Sequence, residues 1–140
     1  MDKKYKLAVV GATGLVGRKV LEVLEEFNLP IYEYVLFASS KSAGQKINFM
    51  NKEYTIQELN ENSFDNCFDF AIFSAGGDTS KHFSPIAASK GCTVIDNSSA
   101  FRMDETVPLI VPEVNSEEIQ NNHGIIANPN CSTIQAVVPL

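Results

Sequence analysis

The chain has 140 residues, 44% of them hydrophobic, which is enough for one domain that folds without a metal ion or a disulfide. Its net charge of −6 argues against nucleic acid and against an anionic membrane surface as partners. The cysteines, at positions 67, 92 and 131, lack zinc-ligand spacing and cannot all pair, so we expect no metal site and a reducing cytoplasm. No apolar run approaches the ~20 residues of a membrane span, and no signal-peptide pattern is present.

The first predicted elements are a buried strand and an amphipathic helix. Residues 6–11 form a short apolar run without alternation, which is typical of a central parallel strand. Apolar residues then recur at helical spacing from Val16 to Phe27, and Asn28 and Pro30 end that helix. A second strand is predicted at 34–38, followed by a small hairpin over 45–56.

The rest of the chain continues to alternate strands with helices. Further apolar strands are predicted at 70–74, 93–96, 109–111 and 125–127. Helices are predicted over 80–89, from Asn115-Ser116 with good capping residues, and from Ser132 onward. This alternation predicts an α/β fold of the Rossmann kind, with a doubly wound, mostly parallel sheet and helices on both faces.

A glycine-rich segment joins the first strand to the first helix. Gly11, Gly14 and Gly17 have the spacing G-x-x-G-x-x-G. Such a loop turns tightly, lets backbone approach a pyrophosphate, and lets the helix pack closely on the sheet with its positive end toward the phosphates. A tight turn that binds nothing is the alternative, but the position between a strand and an amphipathic helix favours dinucleotide binding.

The segment after the second strand has no acidic residue, although an Asp or Glu there would bind the ribose hydroxyls of NAD. Residues 38–44 read ASSKSAG and offer the hydroxyls of Ser39, Ser40 and Ser42 and the ammonium group of Lys41. These groups suit a phosphate dianion, so the predicted cofactor is NADP. The alternative is an ordinary polar loop with a solvated lysine.

Cys131 follows the last predicted strand, within the segment NPNCST at 128–133, at or next to the start of a helix. The N–H groups and dipole of a helix N-terminus stabilise a thiolate and could stabilise an oxyanion. This loop lies at the sheet edge where a dinucleotide binds, so we interpret Cys131 as a catalytic nucleophile. A buried structural cysteine is the alternative. Cys67 and Cys92 lack this setting and are interpreted as structural.

Six segments of the chain resemble the aspartate-semialdehyde dehydrogenases. They are GATGLVG (11–17), ASSKSAG (38–44), FSAGG (73–77), DNSSAFR (96–102), VPEVN (111–115) and NPNCSTIQ (128–135). The resemblance implies NADPH-dependent reductive dephosphorylation of β-aspartyl phosphate to aspartate β-semialdehyde through a thioester on Cys131. That reaction leads toward lysine, threonine, methionine and diaminopimelate.

The resemblance also implies roles for other residues. It implies that Arg102 holds the substrate's phosphate, with a surface arginine as the alternative, and that Asn130 orients the substrate. Together with the glycine spacing it predicts the cofactor-binding residues Gly11, Thr13, Gly14, Leu15, Val16, Gly17, Ser39, Lys41, Ser42, Ala75, Gly76 and Asn97. We interpret His82 and His123 as surface residues.

The family's enzymes are considerably longer than this chain. The resemblance therefore implies an NADP-binding domain at 1–130, and a helix from 131–140 that leads into a catalytic and dimerisation domain with the acid/base histidine. We expect the chain to bind NADP without turning over substrate, and the intact cytoplasmic protein to be a homodimer or homotetramer. The alternatives are a related reductase, such as N-acetylglutamyl-phosphate reductase, and a non-catalytic NADP-binding module.

Overall fold

A computed structural model of the chain describes residues 3–140. Along the chain the elements are β1 (Tyr5–Val10), α1 (Leu15–Phe27), β2 (Ile31–Ala38), β3 (Lys46–Phe49), β4 (Lys52–Thr55), β5 (Gln57–Glu58), β6 (Phe70–Phe73), α2 (Gly77–Ser89), β7 (Thr93–Asp96), α3 (Pro112–Asn115), a 3-10 helix (Ser116–Asn121), β8 (Ile125–Ala127) and α4 (Cys131–Val137). Among residues 3–140, every helix is too short or too polar to span a membrane.

Six strands form one sheet in the order β5-β2-β1-β6-β7-β8, and every neighbouring pair is parallel. The chain winds outward from β1 in both directions, and because such crossovers are right-handed, α1 and α2 lie on opposite faces. This arrangement confirms the predicted Rossmann-like fold. The strand order reverses between β1 and β6, and ligands bind at the carboxyl ends of the strands at such a point.

The residues of β1 contribute alternately to two hydrophobic cores. Leu7 and Val9 pack in the core on the side of α1, whereas Ala8 and Val10 pack with Ala87 of α2 on the other side. Since both faces of this strand are covered, its sequence is a continuous apolar run rather than an alternating one.

Strands β3 and β4 form the predicted hairpin, which turns at Met50 and Asn51 with φ angles of 54° and 57°. The hairpin stands in the crossover from β2 to β5, where a parallel sheet usually has a helix. Phe49 anchors it to the core, because its ring is buried and meets the ring of Tyr34 edge-on at 4.8 Å between centroids.

Three local predictions differ from the structure in whole or in part. The strand predicted at 109–111 is only an isolated bridge between Leu109 and Ala127, because Pro112 begins α3 directly afterwards. The short helix predicted from Asn115-Ser116 is present as the 3-10 helix Ser116–Asn121, but the side chain of Asn115 does not cap it. Instead its Oδ1 accepts the N–H of Val111 at 2.9 Å and closes the turn around α3. Helix α2 begins at Gly77 rather than at residue 80.

An apolar groove of about 270 Å³ lies on the α1 side of the sheet, between the end of α1 and strands β6 and β7. Its walls include Leu29, Phe70, Ile72 and Ile95. Leu29 and Ile95 are 45% and 37% exposed, so residues 3–140 leave part of this sheet face open to solvent.

Candidate dinucleotide-binding and catalytic site

A crevice of about 460 Å³ opens at the carboxyl ends of β1, β2 and β6. It lies at the switch point of the sheet, where this fold binds dinucleotides. Its walls come from the glycine loop, the segments after β2, β5 and β6, and the first turns of α2. The lining residues are Val10, Gly11, Thr13, Gly14, Ala38, Ser39, Ser40, Leu59, Ser74, Ala75, Thr79 and Phe83.

The three glycines of the loop occupy positions with different structural requirements. Gly11 has φ 86°, and a Cβ on it would collide with the carbonyl group of Ser74, whose carbon would lie 2.7 Å away. A Cβ on Gly17 would collide with the carbonyl of Gly11, so this glycine lets α1 start against the loop. Gly14 has an ordinary φ of −73°, and among residues 3–140 a Cβ on it would meet just the Gly11 oxygen, at 3.5 Å. Gly14 thus leaves backbone accessible at the first turn of α1, as a bound pyrophosphate requires.

Leu15 and Val16 begin α1, and their side chains are 90% and 47% exposed. The N–H groups of a first helical turn have no acceptor within the helix. These two predicted cofactor-binding residues would therefore contribute backbone N–H groups rather than side chains.

The segment after β2 folds beside the glycine loop. Thr13 Oγ1 donates to Ser42 Oγ at 3.2 Å, and the Ser39 carbonyl accepts the N–H of Ser42 at 3.0 Å. Ser39 also lines the crevice, while Lys41 is exposed and makes no ion pair with any residue from 3 to 140. None of the described residues that line the crevice is acidic.

Three of the predicted cofactor-binding residues, Ala75, Gly76 and Asn97, follow strands β6 and β7. Ala75 lines the crevice, and Gly76, with φ 89°, immediately precedes α2. Asn97 lies farther along the sheet edge, where its Oδ1 accepts a hydrogen bond from Asn128 Nδ2 at 2.7 Å. The structure thus joins Asn97 to the segment that leads to Cys131.

Arg102 links the loop after β7 to the loop after β8. Its Nε donates to the Asn128 carbonyl at 2.9 Å, and its Nη2 donates to the Asn97 carbonyl at 3.2 Å. The side chain is half-buried and anchored at two points, so it is not a free surface arginine. The structure therefore places Arg102 beside the loop that leads to Cys131.

Cys131 is the first residue of α4, and its side chain is exposed. Asn130 caps this helix, because its Oδ1 accepts the N–H of Ser132 at 2.8 Å. Among residues 3–140 the thiol is therefore accessible rather than buried. The cap fixes the backbone on both sides of the thiol, while the amide Nδ2 of Asn130 makes no hydrogen bond with residues 3–140.

The other two cysteines differ from each other. Cys92 is 1% exposed, and burial raises the pKa of its thiol to about 12, which agrees with a structural role. Cys67 is exposed at φ 51°, so its side chain does not pack in the core and the structural interpretation was wrong for it.

The two histidines are exposed, as predicted. The Nε2 atom of His82 lies 3.2 Å from Glu61 Oε1. His123 lines a small pocket with Phe101 and Asp104, and that pocket does not include Cys131. Neither histidine is assembled with the thiol in the part of the chain that the structure describes.

Sequence reasoning missed Asp96 and Asn128. Asp96 is fully buried at the end of β7 and accepts hydrogen bonds from Ser80 Oγ at 2.7 Å, Ser98 N–H at 3.0 Å and Ser98 Oγ at 2.8 Å. It holds the start of the loop that carries Asn97 and Arg102. A carboxylate that closes an apolar buried strand was the available signal, since buried charges need partners.

The fold and the crevice define a dinucleotide-binding domain of the Rossmann class. Residues 6–122 match the family described as the NAD-binding domain of semialdehyde dehydrogenase, and the chain belongs to that family. The family therefore supports a nicotinamide dinucleotide as the ligand of the crevice.

Individual relatives agree with this family. The aspartate-semialdehyde dehydrogenase of Aquifex aeolicus is 59% identical over 139 residues, which are 97% of this chain and 41% of that protein. Aspartate semialdehyde dehydrogenase II from Vibrio cholerae, solved in complex with ASA, is 45% identical with a TM-score of 0.89 over 96% of this chain and 44% of that one. The Candida albicans enzyme, solved with NADP, is 26% identical with a TM-score of 0.83 over 96% of this chain and 45% of that one. The chain thus spans less than half the length of these relatives.

Proposed function

We propose that the chain is the NADP-binding part of an aspartate-semialdehyde dehydrogenase. The intact enzyme would reduce β-aspartyl phosphate with NADPH, release phosphate and form aspartate β-semialdehyde. The observation that carries this proposal is the link from Arg102 Nε to the Asn128 carbonyl at 2.9 Å. It holds a phosphate-binding type of side chain beside the loop of an exposed cysteine, at the same sheet edge as the crevice.

The proposed cofactor is NADP rather than NAD. No acidic side chain among residues 3–140 lines the crevice, so no carboxylate there would bind the ribose hydroxyls of NAD or repel a 2′-phosphate. Ser39 and Ser42 offer hydroxyls and Lys41 a cation beside the glycine loop. The relative from Candida albicans was solved with NADP, which supports the same choice.

The chemistry assigned to this chain centres on Cys131. The thiolate attacks the acyl carbon of the substrate, a sulfur–carbon bond forms, and the carbon–oxygen bond to phosphate breaks with its electron pair leaving on phosphate. The cofactor, when bound, supplies the hydride that reduces the thioester carbon. The sulfur–carbon bond then breaks, which releases the aldehyde and regenerates the thiolate.

Arg102 would bind the phosphate during this exchange. Two of its N–H groups are fixed on backbone carbonyls, and the remaining ones are available to phosphate oxygens. Asn130 Nδ2 is the group available to orient the substrate next to the thiol.

The acid/base group of the reaction would come from a part of the enzyme outside this chain. Neither His82 nor His123 is assembled with Cys131 in the described structure. We propose that residues 131–140 begin the helix that leads into a catalytic and dimerisation domain, and that the intact enzyme is a cytoplasmic homodimer or homotetramer. The isolated chain should bind cofactor and expose a reactive thiol without turning over substrate.

The cofactor proposal is tested by titrating the chain with NADPH and with NADH. Tighter binding of NADPH is expected, and equal or absent binding would contradict the proposal. The nucleophile is tested by alkylation rates, with the exposed Cys67 as the internal comparison for Cys131. Cys131 should react faster, and equal rates would remove the support for its activation.

Turnover is tested on the intact gene product. It should reduce β-aspartyl phosphate, and Cys131→Ala should abolish this activity while NADPH binding persists. Preference for N-acetylglutamyl phosphate over β-aspartyl phosphate would replace the proposed substrate with that of the related reductases.

A further inference from the structure

Arg18 occupies the first turns of α1, next to the glycine loop, and has no role in the site described so far. Its Nε donates to the Thr13 carbonyl at 3.1 Å. The hydroxyl of the same Thr13 donates to Ser42 Oγ at 3.2 Å. One loop residue therefore connects the Arg18 guanidinium to the segment after β2, where a 2′-phosphate would lie.

The positive charge of Arg18 has no carboxylate partner among residues 3–140. Glu22, one turn along the helix, is paired with Lys19 Nζ at 2.7 Å. Glu25 uses its Oε1 to accept the N–H of Met50 at 2.7 Å. The acidic side chains that line the same cleft as Arg18 are thus engaged elsewhere, and its two terminal nitrogens make no hydrogen bond within the described chain.

The cleft beside Arg18, about 360 Å³ in volume, lies between α1 and the β3–β4 hairpin. Lys46 also lines it, but its Nζ is paired with Glu53 Oε1 at 3.1 Å. Thr13 lines the dinucleotide crevice and Arg18 lines this cleft, so their hydrogen bond marks the place where the two spaces meet. Arg18 is the unpaired cation at that place within residues 3–140.

We infer that Arg18 is a specificity-determining residue that binds the 2′-phosphate of the cofactor and so selects NADPH over NADH. The inference rests on the proposed NADP-dependent function. An arginine fixed through Nε presents its terminal N–H groups as a preorganised fork, which matches phosphate oxygens better than a flexible ammonium group does. Ser42 supplies the hydroxyl partner for the same phosphate.

The test measures dissociation constants of NADPH and NADH for the wild-type chain, Arg18→Gln and Lys19→Gln. Lys19 is the matched control, because it is an exposed cation on the same helix that is already paired with Glu22. Arg18→Gln should weaken NADPH binding about tenfold or more, as expected for loss of charged hydrogen bonds, and leave NADH binding unchanged. Lys19→Gln should change neither.

A second pair of probes isolates the phosphate itself. Adenosine 2′,5′-bisphosphate should bind more weakly to Arg18→Gln than to wild type, whereas 5′-AMP should bind both equally. Circular dichroism checks that each variant is folded.

The outcomes separate the inference from the function on which it rests. If wild type prefers NADPH and Arg18→Gln has the same ratio of the NADH and NADPH dissociation constants as wild type, the role of Arg18 is overturned and the cofactor proposal stands. Equal losses of NADPH and NADH affinity would also overturn it, because Arg18 would then act only through the Thr13 loop. If wild type shows no preference, the cofactor proposal itself fails and the inference fails with it.

Discussion

The hydroxyl of Ser80 donates a hydrogen bond to Asp96 Oδ1 at 2.7 Å, and both residues are fully buried. This bond ties α2 to the end of β7. The same side chain also accepts two hydrogen bonds from Ser98, so one buried carboxyl group fixes both the helix and the loop that leads to Arg102.

Replacement of this carboxylate should destabilise the fold. Asp96→Ala leaves the hydroxyls of Ser80 and Ser98 without their acceptor, which should lower the free energy of unfolding by about 2–4 kcal/mol. Urea denaturation followed by circular dichroism measures the change. Asp65→Ala is the control, because its ion pair with Lys90 is half exposed and should contribute less than about 1 kcal/mol. Similar losses in both variants would show that Asp96 does not anchor the loop.

Alanine substitutions at two glycines of the loop should have separate effects, one on folding stability and one on NADPH binding. Gly17→Ala forces a Cβ against the Gly11 carbonyl and should cost about 3 kcal/mol or more of folding free energy. Gly14→Ala has space and an ordinary φ of −73°, so it should cost less than about 1 kcal/mol. Its methyl group would nevertheless cover the backbone that a pyrophosphate approaches, and NADPH affinity should fall about tenfold. Denaturation and NADPH titration measure the two effects, and unchanged affinity in folded Gly14→Ala would place the pyrophosphate elsewhere.

Cys92 should make stability depend on alkaline pH. Burial raises the pKa of its thiol from the ordinary value of 9.0 to about 12 in the folded state. The folded state therefore keeps the thiol proton at pH values where the unfolded state has lost it. For this reason the free energy of unfolding should be unaffected by ionisation of Cys92 below about pH 9 and should fall as pH rises from about 9 to about 12. Denaturation between pH 7 and pH 10.5 tests this, with Cys92→Ala as the control that should lose less stability over the same range.

The exposure of the three thiols predicts which of them react with a thiol reagent at pH 8. Ellman's reagent should titrate Cys67 and Cys131 in the native chain and reach Cys92 only after unfolding, because Cys92 is 1% exposed. Three rapidly reacting thiols in the folded chain would contradict the buried position of Cys92.

Asn130 should control the start of α4. Asn130→Ala removes the acceptor of the Ser132 N–H and should cost about 1 kcal/mol of local helix stability, seen as faster hydrogen exchange at that amide. Asn130→Asp keeps the cap and is the matched control for exchange. It removes the Nδ2 donor, so in the intact enzyme it should raise the KM for substrate while leaving the helix intact. Equal exchange rates in all three proteins would exclude the cap.

Elements with a strong local signal were predicted correctly from the sequence. Three such local patterns are the apolar run in β1, the helical periodicity of α1 and the hairpin signal at Asn51-Lys52. Each of these elements lies close to its predicted position. The strand at 109–111 failed because an apolar triplet carries no information about its neighbours. Its pairing with Ala127 depends on where α3 begins, which Pro112 decides.

The fold class, the glycine loop and the position of Cys131 at a helix start could be predicted from the sequence, because backbone requirements at these places act over a few neighbouring residues. Which distant groups contact one another became visible in the three-dimensional fold. The contacts of Asp96 with Ser80, Arg102 with Asn128, and Thr13 with Ser42 join residues that are 16, 26 and 29 positions apart in the chain. Such contacts depend on the order and register of parallel strands, which bring separate loops to one edge of the sheet.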